Sequence, residues 1–84
     1  MIYLTDSHPD KRSVVINVEG TLDSESLPVV KDTYRKNIES GKTITVNLES
    51  VSSIDRDGRD FLTEIQNVVR YVGLPPYIQM DIGN

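Results

Sequence analysis

The residues best suited to chemistry lie in one short acidic segment, residues 55–60, with a further aspartate, Asp23, about thirty positions earlier. The segment reads Asp-Arg-Asp-Gly-Arg-Asp, and carboxylate oxygens are ligands that Mg²⁺ prefers. The two interleaved arginines neutralise these acids, however, and the spacing does not fit an EF-hand loop, which needs a glutamate at its twelfth position. We therefore expect no metal ion and no cofactor at this segment.

The sequence also favours no catalytic site. It contains no cysteine, which excludes disulfides, Cys-based zinc sites and thiol nucleophiles. Its one histidine, His8, precedes Pro9 in a segment that we interpret as a turn, where a solvated loop residue is expected. Exposed carboxylates without a histidine or an activated nucleophile make a poor hydrolase. The sequence also lacks a glycine-rich phosphate loop. An enzyme, or a nucleotide- or Mg²⁺-binding protein that uses the acidic segment, is therefore the remote alternative.

Length and charge narrow the class further. The 84 residues make one small domain, 1–84. Nine Lys and Arg against thirteen Asp and Glu give a net charge of −4, which argues against a nucleic-acid partner and a polybasic membrane-surface module. No apolar run is long enough for membrane insertion, and the N-terminus lacks the order of a secretory signal. We expect a cytoplasmic protein.

The apolar pattern predicts the element order β-β-α-β-α-β. Strands are predicted at residues 2–4, 14–18, 43–48 and 77–82. Residues 5–12 are predicted to form a turn. One helix is predicted to begin near residues 24–28, where serines precede Pro28, and to end at Ser40-Gly41. Its apolar stripe comprises Leu27, Val30, Tyr34 and Ile38. The second helix is predicted from 57–58 to 72, with the stripe Phe61, Leu62, Ile65, Val68, Val69 and Val72.

Two of the predicted strands alternate between apolar and polar residues. The inward sets are Ile44, Val46 and Leu48 in one strand and Ile78, Met80 and Ile82 in the other. Strands separated by helices imply parallel pairing with right-handed crossovers. Because these strands are polar on one face, we infer that both helices pack on the same side of the sheet. The fold class is α/β: a single β-α superhelix with a mixed sheet of about four strands and helices mainly on one face.

The acidic segments fall beyond the carboxyl ends of predicted strands, where open parallel sheets form sites. Asp23 and residues 55–57 are therefore expected to be neighbours. Gly20-Thr21-Leu22-Asp23 matches the Gly-x-Leu-Asp turn of STAS domains, and residues 46–55 resemble the strand, loop and signature aspartate of that family. The resemblance covers roughly residues 14–82, nearly the whole chain.

STAS domains are mostly not enzymes. They include bacterial anti-sigma-factor antagonists, cytosolic tails of sulfate transporters and small subunits of lipid-trafficking transporters. The antagonists bind an anti-sigma kinase and release the sigma factor, and the kinase switches them off by phosphorylating a serine in an Asp-Ser-Ser-Gly-Leu motif. The resemblance implies a non-catalytic protein-interaction module of this kind, or alternatively a STAS-like subunit of a transporter or stress-signalling assembly. The implied partner surface comprises Asp23, Asp55, Arg56, Asp57, Gly58 and Arg59.

The phosphorylation motif is degenerate in this sequence. Asp55 and Gly58 match the family, but Arg56 and Asp57 stand where the family has two serines, and Arg59 replaces the leucine. Asp57 occupies the phosphoacceptor position, so the usual covalent switch is expected to be absent. At a helix N-terminus Asp57 would act as a partial, permanent mimic of phosphoserine, or simply as an N-cap worth ~1 kcal/mol. The two interpretations are compatible.

The C-terminal segment leads to an expectation about assembly. STAS-like domains carry a further helix after their last strands, whereas this sequence ends at Asn84. The apolar side chains of the predicted strand 77–82 would then be only partly covered, and its edge would expose unpaired backbone groups. We therefore expect a homodimer formed along this strand, with a monomer as the alternative.

Overall fold

The computed structural model describes residues 1–76 as a four-stranded mixed sheet with two helices. The elements are β1 (Ile2–Asp10), β2 (Ser13–Leu22), α1 (Leu27–Glu39), β3 (Thr43–Ile54), α2 (Arg56–Glu64) and β4 (Arg70–Val72). The strand order is β1-β2-β3-β4. The pair β1–β2 is antiparallel, whereas β2–β3 and β3–β4 are parallel, as a helix between the strands requires. Neither helix in this part of the chain has the length and apolar character needed to cross a bilayer.

The core lies between the helices and one face of the sheet, which confirms the predicted arrangement. The alternation predicted for the third strand is correct, because every second residue from Ile44 to Leu48 is buried. Both helices contribute side chains to the same buried cluster, so they cover the same face. The cluster comprises Val14, Ile16, Val18, Leu22, Leu27, Val30, Ile44, Val46, Leu48, Phe61, Leu62, Ile65 and Val69.

The opposite face of the sheet is polar and half-exposed. There the Nδ2 of Asn47 on β3 donates a hydrogen bond to the Oδ1 of Asn17 on β2, at 3.0 Å. The Nδ2 of Asn17 lies 3.4 Å from the Oγ of Ser7 on β1. These side chains form a polar row across three strands, so this face needs no covering layer within residues 1–76.

The first strand is longer than predicted. It continues from residue 4 to Asp10, so the expected turn at 5–12 shrinks to the two residues before β2. The side chain of Asp10 closes this turn by accepting a hydrogen bond from the backbone N–H of Arg12 at 2.7 Å. Pro9, which cannot donate to a ladder, lies where the register of β1 against β2 shifts, between Ser7 and Asp10. The apolar pattern did not predict this part of β1, because the edge strand is exposed and its residues are mostly polar.

The second helix is shorter than predicted. It ends at Glu64, and residues 70–72 form β4 instead of its last turn. Val68 and Val72, assigned to the helix stripe, are about half exposed. Strand pairing prevails because β4 gains ladder hydrogen bonds to β3, with Val72 opposite Asn47. The last predicted strand, 77–82, lies outside the described residues.

One hydroxyl joins β4 to the end of α2. The Oη of Tyr71 donates a hydrogen bond of 2.6 Å to the carbonyl oxygen of Leu62. This carbonyl is one of the last four of α2, which have no partner within the helix. Burial raises the pKa of Tyr71 above its ordinary value of 10.0. The neutral phenol is therefore the form that supports the fold.

We expect Tyr71→Phe to lower the free energy of unfolding by about 1 kcal/mol, because the Leu62 carbonyl loses its partner. Since folding raises the pKa of Tyr71, this contribution is complete below about pH 10 and is lost as the pH rises further. Urea unfolding at neutral and alkaline pH measures both effects. A stability difference that stays constant to high pH would contradict this role of the phenol.

Candidate functional site

The two segments expected to form the site meet at the carboxyl ends of β2 and β3. The strands are parallel, and Leu22 of β2 is opposite Ile54 of β3. Directly after this pair, the backbone N–H of Asp55 donates a hydrogen bond of 3.0 Å to the carbonyl oxygen of Leu22. The loop that follows β2 and the loop that opens α2 are therefore held side by side.

Asp55 is the residue that fixes this junction. One carboxylate oxygen accepts a hydrogen bond from the backbone N–H of Gly58 at 2.8 Å, which makes Asp55 the N-cap of α2. The other oxygen lies 3.3 Å from the backbone N–H of Ser24, in the loop after β2. The prediction that Asp57 caps the helix is therefore wrong, because Asp55 already accepts the N–H that a cap must satisfy.

Gly58 allows the helix to start against the sheet. It is buried, and a Cβ atom built on it would lie 2.5 Å from the carbonyl oxygen of Leu22. No side chain fits at that separation without a shift of the backbone. The glycine of the partner surface implied by the sequence thus acts by close packing beneath the surface.

Asp57 lies on the outside of this junction. It is exposed in the first turn of α2, and its carboxylate forms no ion pair with any other residue in the range 1–76. The first turn of a helix carries a partial positive charge, which favours an anionic group at this point. Of the other residues in the loop, Arg56 is exposed and Arg59 is half-buried.

Asp23 is bound into its own turn. Its Oδ1 accepts a hydrogen bond of 2.9 Å from the backbone N–H of Ser26, and the Ser26 Oγ accepts one of 2.9 Å from the backbone N–H of Asp23. The bond from the Ser26 N–H lowers the pKa of the Asp23 carboxyl below its ordinary value of 3.8. Asp23 thus orders the approach to α1, which Ser26 precedes as the N-cap residue.

The acidic residues do not converge on one point. The Asp23 carboxylate is engaged with Ser26, whereas Asp57 and Asp60 line a groove between the helices. In the described range 1–76, no three carboxylate or imidazole groups cluster as metal ligands would. His8 lies on β1 rather than in a turn, and its Nδ1 is 3.4 Å from the Nζ of Lys42. That contact is at the opposite end of the sheet, next to the start of β3.

A groove between α1 and α2 is the part of the site that the sequence interpretation missed. It has a volume of about 520 Å³ and contains three acidic residues of one α2 face, namely Asp57, Asp60 and Glu64. Their spacing of three and four residues was a visible signal, because such positions share one side of a helix.

Comparison with solved structures assigns the class of this architecture. The anti-sigma factor antagonist SpoIIAA, in its unphosphorylated form, aligns with a TM-score of 0.77 at 17% identity, covering 96% of this chain and 82% of that one. A protein of the DUF3478 family from Shewanella loihica PV-4, described as having a SpoIIAA-like fold, aligns with a TM-score of 0.61 at 8% identity, covering 95% of this chain and 72% of that one. The chain is thus an α/β protein with the SpoIIAA-like fold, as the resemblance to STAS domains predicted.

The same fold also occurs within a longer protein. The structure named Mglu aligns with a TM-score of 0.69 at 22% identity, covering 86% of this chain but only 19% of that one. No protein-family profile matches the sequence, and no curated protein matches it either. At these identities the similarity establishes the fold and leaves the function to be argued from the site.

We expect Asp55→Ala to lower the free energy of unfolding by about 1–2 kcal/mol, because α2 loses its cap. For a domain of this size, each kcal/mol lowers the melting temperature by about 4–8 °C. Asp57→Ala should cost less, about 0.3–1 kcal/mol, because it removes only a charge near the helix dipole. Asp55→Asn, which keeps a capping oxygen, is the matched control. Thermal unfolding in which Asp57→Ala melts below Asp55→Ala would contradict this assignment.

The lowered pKa of Asp23 predicts a pH dependence of stability. The folded-state pKa lies below 3.8, so the carboxylate stabilises the fold above that pH and the contribution is lost as the pH falls through the folded-state value. Asp23→Asn keeps an acceptor oxygen but no charge, so its stability deficit should be present at neutral pH and should disappear in acid, once the pH has fallen through the folded-state pKa of Asp23. Denaturant unfolding at neutral and acid pH and an NMR titration of Asp23 measure this. A titration midpoint above 3.8 would refute it.

Proposed function

We propose that this chain is a non-catalytic protein-interaction module of the anti-sigma-factor-antagonist type. One observation carries the proposal: in a SpoIIAA-like fold, the capped N-terminus of α2 presents an exposed aspartate, Asp57. The motif resemblance to STAS antagonists implies that this is the position where they take a phosphate. The partner would be an anti-sigma factor or its kinase. Its contact surface would combine the turn at Asp23 with residues 55–59.

The capping geometry supports a specific role for Asp57. Because Asp55 satisfies the helix N-terminus, the carboxylate of Asp57 remains available to solvent and to a partner. It places about one negative charge at the helix N-terminus, against −1.5 to −2 for a phosphoserine. We propose that Asp57 acts as a partial, permanent mimic of the phosphorylated state. In the family that state is the inactive one, so the native chain would bind the kinase less tightly than a serine variant.

The experiment titrates the chain and Asp57→Ser against each anti-sigma-factor kinase encoded in the same genome, by calorimetry. We expect one kinase to bind both proteins, with Asp57→Ser about three- to tenfold tighter, a change of the size that one charge contributes at a partly exposed site. With ATP, mass spectrometry should show phosphate on the serine variant and none on the native chain. Asp6→Ser, at an exposed position of β1, is the matched control and should behave as the native chain.

The outcomes separate the two parts of the proposal. Failure of every such kinase to bind either protein would refute the antagonist role. Binding with equal affinity for the native chain and Asp57→Ser would refute the mimicry alone. Stoichiometric phosphate on Ser52 or Ser53 of the native chain would show that a covalent switch persists at a neighbouring hydroxyl.

The proposal includes a cytoplasmic location and a homodimer, both supported by the sequence pattern. The dimer rests on residues 77–82, which lie outside the described residues. Light scattering at micromolar concentration measures the mass directly. A mass of 9.5 kDa that persists on concentration, and that Met80→Asp leaves unchanged, would refute the dimer.

A further inference from the structure

The two helices leave a continuous groove along the outer side of the molecule. The hollow of about 520 Å³ lies between the N-terminal half of α1 and the face of α2 that runs from Asp57 to Glu64. A second hollow of about 350 Å³ continues it toward their C-terminal ends and shares Lys31, Phe61 and Glu64 with the first. The groove therefore follows both helices for most of the length of α2.

The floor of the groove is apolar. The exposed Pro28 lines the first hollow beside Leu27 and Phe61, which are buried, and Ile38, which is 38% exposed, lines the second. The Phe61 ring packs edge-on against Tyr34, with ring centroids 5.9 Å apart. This aromatic contact links α1 to α2, and the apolar side chains that a partner would meet in the groove are the exposed Pro28 and Ile38.

The α2 wall is acidic. Asp57, Asp60 and Glu64 form no ion pair with any residue in the range 1–76. Asp60 and Glu64 are four residues apart, so their like charges destabilise the helix. Glu64 is also the last residue of α2, where the helix dipole is negative and disfavours an acid. A cationic partner would relieve both unfavourable interactions.

The α1 wall carries the opposite charge. Lys31 and Arg35 are exposed and line the groove one helical turn apart. The Lys31 Nζ lies 5.7 Å from the centroid of the Phe61 ring. The groove thus has an apolar floor between an acidic wall and a basic wall, which specifies the charge on each side of an occupant.

We infer that this groove binds an amphipathic helix of a partner protein, with an apolar ridge, a basic flank against α2 and an acidic flank against α1. The inference rests on the proposed function, which supplies a protein partner. An extended segment fits less well, because the walls are helices whose backbone groups are already paired, whereas a helix satisfies its own backbone. The three carboxylates make the basic flank the stronger determinant.

The test uses a synthetic 18-residue helical peptide with a leucine ridge, four lysines on one flank and three glutamates on the other. Binding to the native chain is followed by fluorescence anisotropy, and the bound position by NMR shifts of α1 and α2. We expect Asp60→Asn/Glu64→Gln to bind the peptide about tenfold more weakly, as the loss of two partly exposed ion pairs implies. Lys31→Gln/Arg35→Gln should bind it several-fold more weakly.

The controls separate the groove from net charge and from unfolding. Asp6→Asn/Glu49→Gln makes the same change of two charges at exposed positions outside the groove, and should leave the affinity unchanged. Asp60→Asn/Glu64→Gln should melt no lower than the native chain, because it removes a repulsion within α2. Absence of peptide binding, or equal weakening in the control and the groove variants, would refute the inference.

A parallel titration with the anti-sigma-factor kinase distinguishes this inference from the proposed function. A kinase that binds native chain and Asp60→Asn/Glu64→Gln equally would refute the groove as its docking site while the antagonist role stands. If the peptide binds in the groove but no kinase binds the chain, the result would support the groove as a docking site and refute the antagonist role.

Discussion

The arrangement of the site depends on the two hydrogen bonds that the Asp55 carboxylate accepts. One oxygen takes the N–H of Gly58 and so starts α2, while the other faces the N–H of Ser24 in the neighbouring loop. The backbone N–H of the same residue is bound to Leu22 at the end of β2. One residue thereby sets where the helix begins, how close it lies to the sheet and which loop stands beside it. The exposed position of Asp57 follows from this, because its place in the first turn is fixed by its neighbour.

The sequence predicted the parts of the fold that bury apolar side chains. The alternation in β3 and the spacing of Leu27 and Val30 in α1 reflect burial, so both were readable. The parallel crossover and the single helical layer followed from the same pattern. The bounds of β1 and α2 could not be predicted from the apolar pattern. The residues of β1 beyond Leu4 are polar, and the valines after α2 fit either a helical or an extended period.

The site was predictable in its location but not in its internal roles. Strand order placed the two aspartate loops at one edge, because parallel strands end together. That Asp55 and not Asp57 caps α2 depends on the backbone of the loop, since both residues are aspartates near the start of the helix. The inter-helix groove depends on how α1 packs against α2, and that distance is set by Tyr34 and Phe61 rather than by either helix alone.

The polar row on the uncovered face of the sheet constrains how the strands can pair. In the observed register Asn17 of β2 is directly opposite Asn47 of β3, and this pairing brings their amides within hydrogen-bond distance. A slip of one residue by either strand would turn that strand's amide toward the helices and bring its buried valines and isoleucines to water. The amide pair therefore favours the observed register of β2 against β3, and gives the uncovered face a part in the alignment of the strands.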